Sequence, residues 1–185
     1  MSNPRAKPAD VVRPLLRVRQ VREFTDRAVD PAALSAIADA ARWSGSAGNR
    51  QPWRFVLVQR PETLQRLADS NLPSTKALLT AKAALAIAEI QEQGAAVSTA
   101  FDEGRAAERV LIAASLLGLG AAIVWIAPDA RPAVHQALEV PDDRFVRTIV
   151  AIGHPTAEAR QPKAARGKAR LPRTETVFRE RFGKR

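Results

Sequence analysis

The sequence predicts an α+β fold, a sandwich in which helices pack on a small, mostly antiparallel sheet. Three observations carry this. Helical patterns and about four strand-length apolar runs are interspersed, but they do not alternate as regular βαβ units, which argues against a doubly wound sheet. The 185 residues show no internal repeat and no second domain, so one domain spanning 1–185 with a sizeable core is expected. The apolar fraction of 46% is ordinary for a globular chain.

Residues 1–12 are polar and contain proline, and they read as a loose extension. Arg13 to Phe24 is predicted as a short helix ending in a turn, with Arg13, Arg17, Arg19 and Arg22 among apolar residues. Asp30 followed by Pro31 is a helix start. The aspartate supplies an N-cap acceptor, and proline suits the first turn. Leu34, Ile37, Ala38 and Ala41 then recur at helical spacing, so 31–43 buries one face. Residues 53–59 read as a strand, Pro61 opens a helix with Leu64 and Leu67 inward, and 74–81 is predicted helical. Ala83 to Ile90 has strand length, although its alanines suit a helix as well.

A polar loop is expected over 91–100. A long helix should follow, starting near Ser98 to Asp102 and reaching about Leu117. Its second half, VLIAASLLGLG, is apolar nearly all round, which predicts burial on more than one side with a second chain as a plausible cover. Gly118 and Gly120 end it. Residues 121–127 read as a buried strand, Asp129 as the cap of a helix carrying Val134 and Leu138, and 145–152 as the last core strand, ended by Gly153-His154-Pro155. The remainder, 156–185, is a basic extension with a short helix near 174–181.

Composition excludes several chemistries. There is no cysteine, so disulfides, thiolate metal sites and cysteine nucleophiles are ruled out. Two histidines are too few for a histidine-rich metal site, and no metal is expected. No GxSxG motif and no GxGxxG after a strand is present. No apolar run is long enough to span a bilayer, and MSNPRAKPAD lacks the apolar core of a signal peptide, so a cytoplasmic protein with no membrane association is expected. The formal charge is +10, and ten Lys/Arg fall between Arg160 and Arg185 against Glu175 and Glu180. Such a tail suits nucleic acid, an anionic cofactor or mere solubility, and composition does not separate them.

The most informative stretch is 44–55, SGSAGNRQPWRF. Ser44, Gly45, Ser46, Ala47 and Gly48 are small enough to let backbone approach a flat ligand. Asn49 and Gln51 offer a donor and an acceptor each, which suits a heterocycle edge carrying both. Pro52 is expected to hold Gln51 extended. Composition alone equally describes an ordinary helix-to-strand loop.

Together with the preceding Ala41-Arg42-Trp43, this stretch resembles the signature of the nitroreductase family of FMN-dependent flavoproteins. There a helix ends in small residues, followed by Asn-x-Gln-Pro-Trp and a strand. The string VRQVREF (18–24) is similar to that family's Arg-Arg-Ser-Val-Arg-x-Phe block, with Arg19, Val21, Arg22 and Phe24 matching. Val18 and Gln20 depart from it, and Arg17 is a possible substitute for the missing arginine. GKARLP (167–172) resembles the family's Lys-x-Arg-x-Pro segment, with Lys168 and Arg170 in the basic positions.

The resemblance implies a three-layer α/β/α sandwich and a domain-entwined homodimer. It implies FMN held by Arg17, Arg19, Gln20 and Arg22, by Lys168 and Arg170 at the phosphate, and by Ser44, Gly45, Ser46, Asn49 and Gln51 of the partner chain. The strand with Val124 and Trp125 would lie against one face of the ring; a lone tryptophan there also reads as a core aromatic. NAD(P)H would be the diffusible donor and a nitroaromatic or quinone the acceptor, in ping-pong order with no catalytic side chain. Asp102, Glu103, Arg105 and Glu108 read as exposed ion pairs at helical spacing, with a pocket rim as the lesser reading. The alternatives are a flavin storage or sensing protein without turnover, or a basic nucleic-acid binder. The tail argues against the latter, because it supplies only Phe178 and Phe182 for stacking.

Overall fold

The strand runs assemble into one four-stranded sheet, in a computed structural model that describes residues 7–90, 96–161 and 170–183. The strands are β1 (Trp53–Val58), β2 (Ala83–Ile90), β3 (Gly120–Trp125) and β4 (Arg144–Gly153), in the order β1-β2-β4-β3, with every pairing antiparallel. Among the described residues there are seven helices, in chain order α1 (Pro8–Arg17), α2 (Pro31–Arg42), α3 (Pro61–Asp69), α4 (Ala96–Leu116), α5 (Arg131–Leu138) and the four-residue α6 (Ala157–Arg160) and α7 (Arg173–Thr176).

β2 is central and covered on both faces, which is why its sequence is apolar at every position but Glu89 rather than alternating. Its alternate residues divide between two cores. Ala84, Ala86 and Ala88 pack with Leu64 and Leu67 of α3, Val134 of α5 and Val124. Leu85 and Ile87 pack with Leu34 and Ile37 of α2, Ala106 and Val110 of α4, and Val150 and Ile152 of β4. Each fully buried Leu or Ile contributes about 1.5–3 kcal/mol.

Asp30 caps α2 as expected, its carboxylate accepting the Ala32 N–H at 2.9 Å. The N-terminal prediction needs correction. The helix runs from Pro8 to Arg17, so 8–12 are helical, and residues 18–24 are extended. Gln20 bridges Ala121 in parallel fashion, the Val21 N–H donates to the Ala121 carbonyl at 2.8 Å, and Phe24 bridges Pro155. Partners about a hundred residues away override local preference here. The approach needs two glycines: a Cβ on Gly120 would lie 2.7 Å from Val21, and one on Gly153 would lie 2.8 Å from Phe24.

Smaller corrections follow. α4 starts at Ala96, inside the predicted loop, whose residues 91–95 lie outside the described ones. Only a 3-10 turn, Lys76–Leu79, forms within 74–81. Asp129 sits in a 3-10 turn ahead of α5, whose N-cap is Ala130 with no side-chain bond, because Pro128 and Pro132 set the first turns instead. α7 spans Arg173–Thr176 only, and Val177 turns extended.

Candidate functional site

The loop after α2 is held by its own side chains and by α4. The Asn49 N–H and Arg50 N–H close a tight turn on Ser46 and Ala47 carbonyls at 3.0 and 3.1 Å. Gly48, Asn49 and Gln51 all have positive φ (55, 55 and 49°). Gln51 is therefore left-handed, not extended as its position before proline predicts. Its N–H donates to Ser46 Oγ at 2.9 Å and its side-chain amide donates to Asn49 Oδ1 at 3.2 Å, and these local bonds outweigh the pre-proline preference. The Ala47 N–H donates to Asp102 Oδ2 at 2.8 Å, anchoring the loop on α4. Gly45 faces Arg105 so closely that a Cβ would lie 2.4 Å from a guanidinium nitrogen. Ser44 is buried and its hydroxyl has no hydrogen-bond partner among the described residues.

Asp102 and Glu103 are not exposed; each retains 3% of its surface. Glu103 Oε2 accepts from Arg147 Nε at 2.7 Å and also from Nη2. Arg147 is aimed there by a break in register. β4 pairs Thr148 with Ile87 and Val146 with Ala88, leaving Arg147 as the extra residue of a bulge. Bulges of this kind redirect a side chain out of the pleat. The guanidinium lies 5.6 Å from the Trp125 ring centroid and 5.4 Å from that of Phe145. Trp125 ends β3 half-exposed, whereas Val124 is buried in the core and offers no side-chain surface to a ligand. Beside this group Glu89 is fully buried; burial first, and the charge of Glu103 second, push its carboxyl up to about 8.

The arginine block lies elsewhere. Arg19 donates from Nη2 to the carbonyl oxygens of Ala159, at 3.2 Å, and of Arg160. Gln20 turns its Oε1 to accept the Ile123 N–H at 2.8 Å. Arg19, Gln20, Arg22, Ala159 and Gln161 line a cavity of about 320 Å³. Arg17 and Arg19 border a second of about 180 Å³, against Leu111 and Ser115 of α4. Arg170 is exposed, and Lys168 lies outside the described residues.

The structure thus puts the two sequence blocks at opposite ends of one helix. The loop is tied to Asp102, and the arginine block adjoins Ser115. Thirteen residues separate these two positions, roughly 20 Å of helix at 1.5 Å per residue. Glu89 and Arg147 were absent from the site expected from sequence, and Glu103 entered it only through the lesser reading of a pocket rim. The available signal was Glu89 itself, the one charge in the run AALAIAEI. His135 is structural, its Nε2 accepting the Val146 N–H at 3.3 Å. Among the described residues no group of His, Asp and Glu could hold a metal ion, and no helix is long and apolar enough to cross a membrane.

Comparison with known proteins agrees with this architecture. Residues 17–89, which include both blocks, match the family model described as Nitroreductase family. A relative from Archaeoglobus fulgidus, named as a candidate NADH dehydrogenase/NAD(P)H nitroreductase, is 28% identical over 147 residues, covering 76% of this chain and 82% of that protein. A solved structure from Desulfovibrio desulfuricans, a candidate nitroreductase in complex with FMN, is 25% identical with a TM-score of 0.73, covering 98% of this chain and 99% of that one. An FMN-dependent nitroreductase from Clostridium difficile shares the fold at 24% identity, with a TM-score of 0.76 over 89% of this chain and 95% of its own. The match at the two blocks and the likeness in fold over nearly the whole chain point the same way: residues 17–89 match the nitroreductase family model, and the chain as a whole is similar in fold to nitroreductases.

Proposed function

We propose that the protein works as a cytoplasmic homodimer that binds FMN between its chains and passes electrons from NAD(P)H to a small acceptor. The observation that carries this reading is the separation of the two blocks along α4. A span of roughly 20 Å is too wide for both blocks of one chain to edge the same ring. A second copy removes the difficulty by bringing its loop to the first copy's arginines. Helices on both faces of the sheet fit the three-layer α/β/α sandwich of an entwined dimer. The exposed apolar residues Val11, Val12, Leu15 and Leu16 of α1 and Phe101 and Leu116 of α4 supply a surface for the partner.

The residues present fit the cofactor. The 320 Å³ cavity falls in the range of about 300–1,000 Å³ usual for small-ligand sites, and Arg22 opens onto it alongside Arg19 and Gln20. Ser44 Oγ is an orphaned buried polar atom in the loop that would face the ring. Arg17, Arg19, Gln20, Arg22, Lys168 and Arg170 of one chain would hold the anionic and polar end, with guanidinium forks suited to phosphate. Ser44, Gly45, Ser46, Asn49 and Gln51 would come from the partner, with the β3 end at Trp125 beside the ring. Gln20 is fixed by its bond to Ile123, and the loop by Asp102, so both are preorganised. Bound FMN would supply the redox chemistry, taking hydride from NAD(P)H and reducing a nitroaromatic or quinone in a second, ping-pong step. No protein nucleophile or acid is required for that.

The test is the absorption spectrum of the purified protein given FMN and titrated with NADH or NADPH. Flavin absorbance that bleaches, then returns on adding a nitroaromatic, supports the reading. Flavin that never bleaches would make the protein a storage or sensing relative. No flavin uptake, with salt-sensitive DNA binding instead, would make it a nucleic-acid binder. Dilution to monomer should release FMN, and a monomer that keeps its flavin would refute the two-chain site.

A further inference from the structure

β2 carries one ionisable side chain, and it is the most deeply buried charge-bearing group described. Neither carboxyl oxygen of Glu89 has a hydrogen-bond partner among the described residues, and Oε1 of Glu103 is likewise buried and unpartnered. The remaining oxygen, Glu103 Oε2, takes both bonds from Arg147. One guanidinium therefore stands against two buried carboxyls. Two such groups cannot both ionise cheaply, and a protonated carboxyl supplies the donor that an orphaned carboxylate oxygen lacks.

We propose that Glu89 keeps its proton in the folded chain, so that Glu89 and Glu103 together present a single negative charge, and that this charge positions Arg147 behind the ring of Trp125. Calling that ring a wall of the flavin site rests on the function proposed above; the buried proton of Glu89 does not. The charges facing Glu89 are Asp102 and Glu103 from α4 and Arg147 and Arg144 from β4. The two acidic neighbours hold the proton on and the two arginines oppose them; burial tips the balance toward the neutral carboxyl near pH 7. When the proton leaves, two carboxylates compete for Arg147. The guanidinium is drawn toward β2, and its cation–π contact with Trp125 is lost. Glu89 and Glu103 are thus positioning residues, acting on the ring through Arg147.

The full chain, without added flavin or NAD(P)H, is titrated while tryptophan emission is recorded. Subtracting the Trp125→Phe variant isolates Trp125 from Trp43 and Trp53. The expected result is a shift in the Trp125 difference emission with a midpoint near pH 8 in the wild type, and none in Glu89→Gln, which holds the acid-form emission throughout. A wild-type signal that stays flat while circular dichroism shows a folded chain overturns the proposal, as does a step that persists in Glu89→Gln. Infrared absorption of the wild-type chain needs no variant. A protonated-carboxyl band lost with the same midpoint supports a protonated Glu89, and its absence at neutral pH overturns it. FMN affinity over the same range separates the two readings. Affinity that falls through that midpoint in the wild type only supports both. Absent flavin binding with an intact Trp125 step refutes the flavin site and leaves the protonated Glu89 standing.

Discussion

Glu89→Gln should change how stability depends on pH. In the unfolded chain Glu89 titrates near its ordinary value of 4.5, and in the folded protein near 8. Between these values the native state binds more protons than the unfolded state, so wild-type stability falls as pH rises through that window. The slope is about 1.4 kcal/mol per pH unit, and the full window amounts to roughly 5 kcal/mol. That is a large share of the ~5–15 kcal/mol that holds a typical domain together. The side chain is fully buried, so solvent screening does not diminish the effect. Glutamine keeps the shape and the hydrogen-bonding capacity but does not titrate. The variant should therefore gain on the wild type through the window and hold a constant lead above it. Urea unfolding at a series of pH values, with the m-value checked for constancy, measures the difference, and subtraction cancels the other titrating groups. Parallel profiles would refute the argument. A wild type that gains on the variant as pH rises would mean Glu89 is ionised and paired in the fold.

Other substitutions test the two blocks separately. Gly153→Ala puts a Cβ 2.8 Å from the Phe24 side chain, an overpacking cost of about 1–3 kcal/mol, and should lower both the melting temperature and FMN uptake by displacing 18–24. Gly104→Ala is its control: nothing lies within 4 Å of the new methyl on α4, so thermal unfolding should show no loss and up to about 1 kcal/mol of gain. Asp102→Ala leaves the Ala47 N–H without its acceptor, costing about 1–3 kcal/mol, and should hasten proteolysis within 44–51. Asp102→Asn keeps an acceptor there and should restore much of the protection.

What the sequence revealed and what it hid divide by the range of the interactions. The start of α2 was legible because Asp30 and Pro31 satisfy requirements set within one turn. β2 was legible as a core segment because a run apolar at all but one position has few other places to go. The extended path of 18–24 was not, since its bonds run to Ala121 and Pro155 and depend on the missing side chains of Gly120 and Gly153. Gln51 misled for a related reason: proline restricts it, but Ser46 and Asn49 bond it the other way. Asp102, Glu103 and Arg105 have the spacing of a solvated helix face. Nothing local reveals that β4 carries a bulge whose arginine reaches back to Glu103. The two blocks were recognisable as motifs, yet their distance along α4 required the fold.

That distance bears on the symmetry of the proposed dimer. In an isologous pair the contact of residue i with j is matched by j with i. Exposed apolar side chains occur at both ends of α4, Val97 and Phe101 near its start and Leu116 near its end. If two copies of α4 lie antiparallel across a two-fold axis, the start of each meets the end of the other. Loop 44–51, tied to Asp102, then meets the partner's Arg17–Arg22 block beside Ser115, and the same operation builds a second, equivalent site. A parallel pairing would set loop against loop and arginines against arginines, repelling the cations and completing neither site. The polarity of one helix, with a small-residue loop at its head and arginines at its foot, therefore favours two identical sites per dimer, each drawing on both chains.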